Sequence, residues 1–133
     1  GAGASLTMYQ AEVIAGQVIG TSGALVQLSD SLLRDFRSGS RLLLAATIAQ
    51  RSALRYTPAG LPALDLVLAH RSEVSEDGQP RQVRLELRSV AIGAIAGSLQ
   101  TMALDAPAQF AGFLAASRNG RGLVFHITAV DPA

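Results

Sequence analysis

From Arg41 onward, apolar residues return at every second position, the period of a strand whose successive side chains face opposite ways. The stretch RLLLAATIAQ, residues 41–50, reads as a buried strand. Leu64, Leu66 and Leu68 then alternate with Ala63, Asp65 and Val67, as a half-buried strand should. VRLELR is the clearest case: Val83, Leu85 and Leu87 point one way, and Arg84, Glu86 and Arg88 the other. The alternation breaks in VAIGAIAGSLQTM, residues 90–102, where small residues at helix-compatible spacing predict a short helix weakened by Gly93 and Gly97. After Pro107, AQFAGFLAAS and GLVFHITAV predict two further strands, with Phe110, Phe113 and Phe125 as core candidates and Phe113 open to an outward setting. They are joined across RNGR, where Asn119-Gly120 is expected to supply the positive φ angles of a tight turn.

Three strands, a short helix and two strands is the element order of an OB-fold, a mainly β, five-stranded Greek-key barrel with its helix between strands three and four. On pattern alone, other small barrels stay open. Pro58, Gly60 and Pro62 punctuate the loop joining the first two strands, and HRSEVSEDGQPRQ, residues 70–82, reads as a long polar loop between the second and third. Residues 41–133 are therefore expected to form the barrel domain. Residues 1–40 are expected to be an N-terminal extension of uncertain origin. They are too apolar for an ordinary disordered tail, yet glycines cut them into short pieces that suggest a hairpin and one helical turn. Gly1 in place of an initiator methionine is compatible with a fragment, a fusion or translation from upstream of the natural start.

Composition narrows the function classes. With 133 residues and 49% hydrophobic residues, the chain has material for one core. Cysteine is absent, so neither a disulfide framework nor thiolate chemistry is available. No apolar run approaches the roughly 20 residues that span a bilayer as a helix, and residues 1–19 lack a signal-peptide pattern, so a cytoplasmic protein with no membrane partner is expected. Net charge is only +1, but all 11 basic residues are arginines, whose planar forks grip phosphates bidentately and stack on flat rings. A genome-wide compositional bias produces the same preference.

OB-folds bind ligands on the face of strands two and three and on the loops joining strands one to two and four to five. That surface takes in Arg55, Tyr56, Arg71, Arg81, Arg84, Arg88, Arg118 and Arg121 as candidate nucleic-acid-binding residues. A cationic groove combined with flat groups is what binds single strands, each stacked base contributing about 1–3 kcal/mol. Other readings fit the same residues one at a time. Arg84 and Arg88 around Glu86 match a solvated strand face, Arg118 and Arg121 a hairpin kept soluble, and Tyr56 a lid on the barrel end.

Catalysis finds little support. His70 and Ser72 share a strand face but are expected to diverge along it, which argues against a nucleophile and base pair. Two histidines with no cysteine and no clustered carboxylates give no metal-ligand spacing, and no phosphate loop ends in Gly-Lys-Ser/Thr, so no cofactor is expected. His126 suits a strand face or a dimer contact.

LRYTPAGLPALDLVLAHRSEVSEDGQPRQ, with its Pro-x-Gly-x-Pro turn, His-Arg-Ser and later Arg-Gln, resembles the primosomal replication protein N family, relatives of single-stranded DNA-binding protein. GFLAASRNGRGLVFHI is similar to that family's Gly-Phe strand, Asn-Gly hairpin and closing strand. The likeness runs over about residues 41 to 131. It implies an OB-fold homodimer without catalytic activity that binds single-stranded DNA and the primosomal helicase in bacterial replication restart. Carried over by position, the family's basic hairpin corresponds to Arg118 and Arg121, and its His-Arg-Ser signature to His70, Arg71 and Ser72. Gln79 and Arg84 stand where better-known members of the family place aromatics. That departure and the near-neutral charge favour the alternative of a protein-interaction module with little DNA binding of its own.

Overall fold

The computed structural model describes residues 39–132 and, before them, the backbone of three short strands. These are β1 (Glu12–Ile14), β2 (Gln17–Ile19) and β3 (Leu25–Gln27), which pair antiparallel in that order. The hairpin expected in the extension is present as β1 and β2, with a third strand added; the expected helical turn lies outside the described residues.

The main sheet contains β4 (Arg41–Arg51), β5 (Arg55–Tyr56), β6 (Pro62–Glu76), β7 (Gln79–Ile92), β8 (Ala108–Ala116) and β9 (Leu123–Pro132), and α1 (Ala94–Gln100) lies between β7 and β8. Pairing runs β4-β8-β9-β7-β6, and β6 pairs with β4 again, so five strands form a ring. The β7–β9 pair is parallel, as a Greek-key path requires, and β5 is a two-residue addition to the free side of β6. The expected OB-fold order, with its helix after the third barrel strand, is the observed one.

Alternation sorts the side chains. Leu64, Leu66 and Leu68 of β6 point into the ring with Leu44 and Ile48 of β4, Phe110 of β8 and Phe125 of β9. Ala96 and Leu99 of α1 close one end of this core. Arg51 holds the helix there, its guanidinium donating to the carbonyls of Leu99 (3.1 Å) and Met102 (2.6 Å) at the helix C-terminus, where the Leu99 carbonyl also accepts the Met102 N–H. The helix itself starts at Ala94, because Val90–Ile92 complete β7.

Two loop expectations are corrected. Residues 70–76 and 79–82 are not a loop: β6 and β7 stay paired to Glu76 and Gln79 and turn through Asp77 and Gly78 alone. Both turn residues have positive φ, 51° and 74°, the pairing that Asp-Gly favours in a two-residue hairpin. The ribbon lacks apolar alternation because much of it has solvent on both faces, and so it read as a loop. In the β8–β9 connection, positive φ falls on Gly120 and Gly122, and Asn119 is not in that region. The Asn119 carboxamide instead accepts the Arg121 N–H at 2.9 Å, while Ser117 N–H donates to Gly122 O and its hydroxyl bonds Arg121 O.

Candidate nucleic-acid interface

Residues directly opposite in an antiparallel pair share a face. The β6–β7 register therefore sets Asp65, Val67, Ala69, Arg71 and Glu73 on one face with Arg88, Glu86, Arg84 and Gln82. That face is outward, since the leucines at the intervening β6 positions are in the core. Arg55, opposite Ala63, joins it from β5. The result is a stripe from Arg55 to Arg71, eight β6 residues or about 26 Å long at strand spacing. It holds Arg55, Arg88, Arg71 and Arg84 among the sequence-derived candidates.

The charges along the stripe are unequal in use. Arg55 is spent on Asp65 in a two-point ion pair, Nε to Oδ2 at 2.7 Å and the terminal nitrogen to Oδ1 at 3.1 Å. That hydrogen bond holds the Asp65 carboxyl below the usual carboxylate range; partial burial opposes the shift, and the nearby charges of Arg55 and Arg88 add to it. Arg88 and Asp65 meet in a shallow cleft of about 330 Å³ bounded by Ser52, Val67 and Val124. Farther along, Arg71 and Arg84 are cross-strand partners, both exposed. Like charges directly opposite are destabilising.

The other four candidates lie off the stripe. Arg81 is opposite Val74, on the reverse face of the ribbon, where it pairs with Glu76 at 3.0 Å. Tyr56 is opposite Pro62, so alternation turns it away from Arg55; it is 67% exposed. Arg118 and Arg121 occupy the exposed β8–β9 loop. Because Ser89 is level with Phe125 in the parallel pair, that loop comes beside the stretch of β7 that carries Arg84.

His70 and Ser72 do not diverge as expected: Nε2 of His70 lies 2.8 Å from Ser72 Oγ. Nδ1 donates to the Ala45 carbonyl, which makes Nε2 of the neutral ring an acceptor for the serine hydroxyl. The contact spans β6 and β4 just past their last backbone pair, Thr47 with Ala69, and extends the barrel's closure. Among the described residues no group of three metal-ligating side chains is present, and no helix is long and apolar enough to cross a membrane.

Sequence reasoning also missed a row on the outer face of β4, β8 and β9. Arg41 is opposite Phe113, and Phe113 is opposite His126. The two rings stack, with centroids 4.7 Å apart and planes 7° from parallel. Phe113 is 37% exposed while Phe110 and Phe125 are buried; the odd interval of three residues between Phe110 and Phe113 sends them to opposite faces of β8, and that parity is the signal that separates the two.

A family model described as another single-strand binding protein family matches residues 40–129, the ring of strands up to the last three residues of β9. The replication restart protein PriB of Bordetella pertussis is 48% identical over 77 residues, 58% of this chain and 72% of that protein. The chain belongs to this PriB branch of the single-strand binding proteins. The solved PriB of Ralstonia solanacearum superposes with a TM-score of 0.65 at 34% identity, covering 70% of this chain and 96% of that one. The single-stranded DNA binding protein of Thermus aquaticus gives 0.56 at 27% identity over 70% of this chain and 49% of its own. These PriB-type and single-strand binding relatives are named for binding and for replication restart rather than for a reaction. The low count of catalytic groups in the sequence agrees with that.

Proposed function

We propose that this chain binds single-stranded DNA along the outer face of β6 and β7, as an accessory factor of the primosome in bacterial replication restart. One observation carries the reading: Arg71 and Arg84 are opposed on an exposed face, a juxtaposition that costs stability in the free protein and that a phosphate between them would reverse. Arg88 continues the track toward the barrel, and Arg118 and Arg121 flank it from the β8–β9 loop. Arginine supplies the flat group as well as the charge where an aromatic is missing. Residues 41–133 form the binding domain in this reading, and residues 1–40 an extension to it.

The reverse face of the ribbon has a different character. Val74 is 47% exposed and Leu85 40%, and both lie opposite to the arginine stripe. This favours protein contact there, with a second copy in a homodimer or with the primosomal helicase, while DNA occupies the other face. A module that works mainly by protein docking is the second reading, and the commitment of Arg55 to Asp65 and of Arg81 to Glu76 favours it. Titrating a labelled oligonucleotide at several salt concentrations tests the first reading. Affinity should fall by roughly 0.7 logarithmic units per phosphate contacted for each tenfold rise in salt, and a flat response rejects it. Pull-down of the helicase with and without DNA separates the two.

A further inference from the structure

The row Arg41, Phe113 and His126 runs into the proposed DNA track. His126 is level with Val90 in the parallel pair, and Val90 is two residues beyond Arg88 on the same face of β7. The outer face of the sheet is therefore continuous in register from the arginine stripe across β9 and β8 to β4, with Val90 itself buried between Asp65 and His126. At its far side is a pocket of about 260 Å³ lined by Gly39, Ser40, Arg41 and Phe113.

Three features of this pocket suit a ligand. Phe113 is exposed although its strand has a core to face, and its ring is braced on one side by the parallel His126 ring. The Nε of Arg41 is buried and has no hydrogen-bond partner among the described residues, an unfavourable state for a polar group. The backbone beside it is fixed, since Ser40 accepts from the Leu114 N–H at 3.0 Å and donates its hydroxyl to Leu114 O at 2.7 Å. An aromatic wall, an unused guanidinium donor and a rigid floor fit a flat ring bearing acceptors on its edge.

We propose that this pocket is a stacking subsite for one unpaired base of a single-stranded DNA that has passed beyond the β6–β7 stripe. The base stacks on Phe113 and accepts from Arg41, whose charge also suits the adjoining phosphate. Asp131 is five residues farther along β9, so no carboxylate of that strand adjoins the ring. The subsite rests on the DNA-binding reading and extends its path around the barrel.

The chain has no tryptophan, so Phe113→Trp in the full chain installs a single reporter that preserves a flat apolar ring. Two labelled oligothymidylates are compared, one of about 5 nucleotides and one of about 15, lengths near the two ends of the range of site sizes of single OB-folds. Fluorescence anisotropy reports binding, and tryptophan emission reports stacking. The longer strand should quench the tryptophan and the shorter one should not. Phe113→Leu and Arg41→Gln should each weaken the longer strand roughly tenfold or more while leaving the shorter little changed. Binding of the long strand without quenching, or equal affinity of Phe113→Leu for it, overturns the subsite but leaves the β6–β7 reading standing. So does a Phe113→Leu protein that changes its mass in solution at unchanged affinity, which would make this face a contact between copies. If anisotropy shows the wild-type chain binding neither strand, the DNA reading itself falls, and the subsite with it.

Discussion

Arg71 and Arg84 stand directly opposite one another near the base of a two-stranded ribbon, each exposed and neither ion-paired within hydrogen-bonding distance of a carboxylate among the described residues. Folding and binding therefore pull in opposite directions at this pair. Arg84→Glu replaces a like-charge cross-strand pair with an opposite-charge one. It should raise stability against urea by about 0.2–1 kcal/mol while weakening oligonucleotide binding. Parallel unfolding and anisotropy titrations check it, and a variant that loses stability without losing affinity would show that these arginines serve the fold.

Asp65 holds one arginine away from the track. Asp65→Asn removes a negative charge from the stripe and frees Arg55, so it should tighten single-stranded DNA binding and steepen its salt dependence by about 0.7, one phosphate. The same variant has a pH signature. The Asp65 carboxyl is lowered by its bond to Arg55, so its contribution to stability is present above the unfolded carboxylate value near 3.9 and fades as pH falls through the depressed folded value. Both side chains are about half exposed, which limits the difference between wild type and Asp65→Asn to a few tenths of a kcal/mol at neutral pH, on the order of an exposed pair. Urea titrations should find that difference level above about pH 5 and shrinking below about pH 4.

Gly112 has an ordinary φ, and its necessity comes from crowding. A Cβ there would stand 1.8 Å from the carbonyl oxygen of His126 and 3.0 Å from the Phe125 ring, and the β8–β9 register shifts beside it. The backbone of β9 cannot yield as a side-chain tip can, so Gly112→Ala should cost about 1–3 kcal/mol, measured by thermal or urea unfolding. It should also disturb the Phe113–His126 stack built on the same pair of strands.

The barrel was legible because its five strands each carry the period of two over the segment that faces the core: Leu64, Leu66 and Leu68 are buried, as their spacing predicts. The ribbon was not, because residues 70–82 have no inner face to bury and alternation carries no signal without one. The turn residues hold the missing information, since Asp77-Gly78 is a hairpin pair and the flanking segments are the right length to meet. Arginine positions were readable, but their grouping was not. Whether Arg81 joins Arg84 depends only on parity along β7, and an odd interval of three residues sends them to opposite faces. Pairing partners such as Asp65 for Arg55 and the Arg41–Phe113–His126 row arise between strands distant in sequence, beyond the reach of a single-chain pattern.

His70 ties the ribbon to the barrel. With Nδ1 on the Ala45 carbonyl and Nε2 toward Ser72, it fixes β6 where its backbone pairing with β4 ends and where Arg71 begins the exposed track. His70→Ala should lower stability by about 1 kcal/mol, the net worth of a typical hydrogen bond, and reduce DNA affinity less than Arg71→Ala does. Unfolding and anisotropy measured together on the two variants separate positioning from contact.

The most direct test replaces both opposed arginines and reads the salt slope. For Arg71→Ala/Arg84→Ala, the account predicts weaker binding of single-stranded DNA at low salt and a slope shallower by about 1.4, two phosphates at about 0.7 each. A double variant that keeps both the affinity and the slope of the wild-type chain would contradict it.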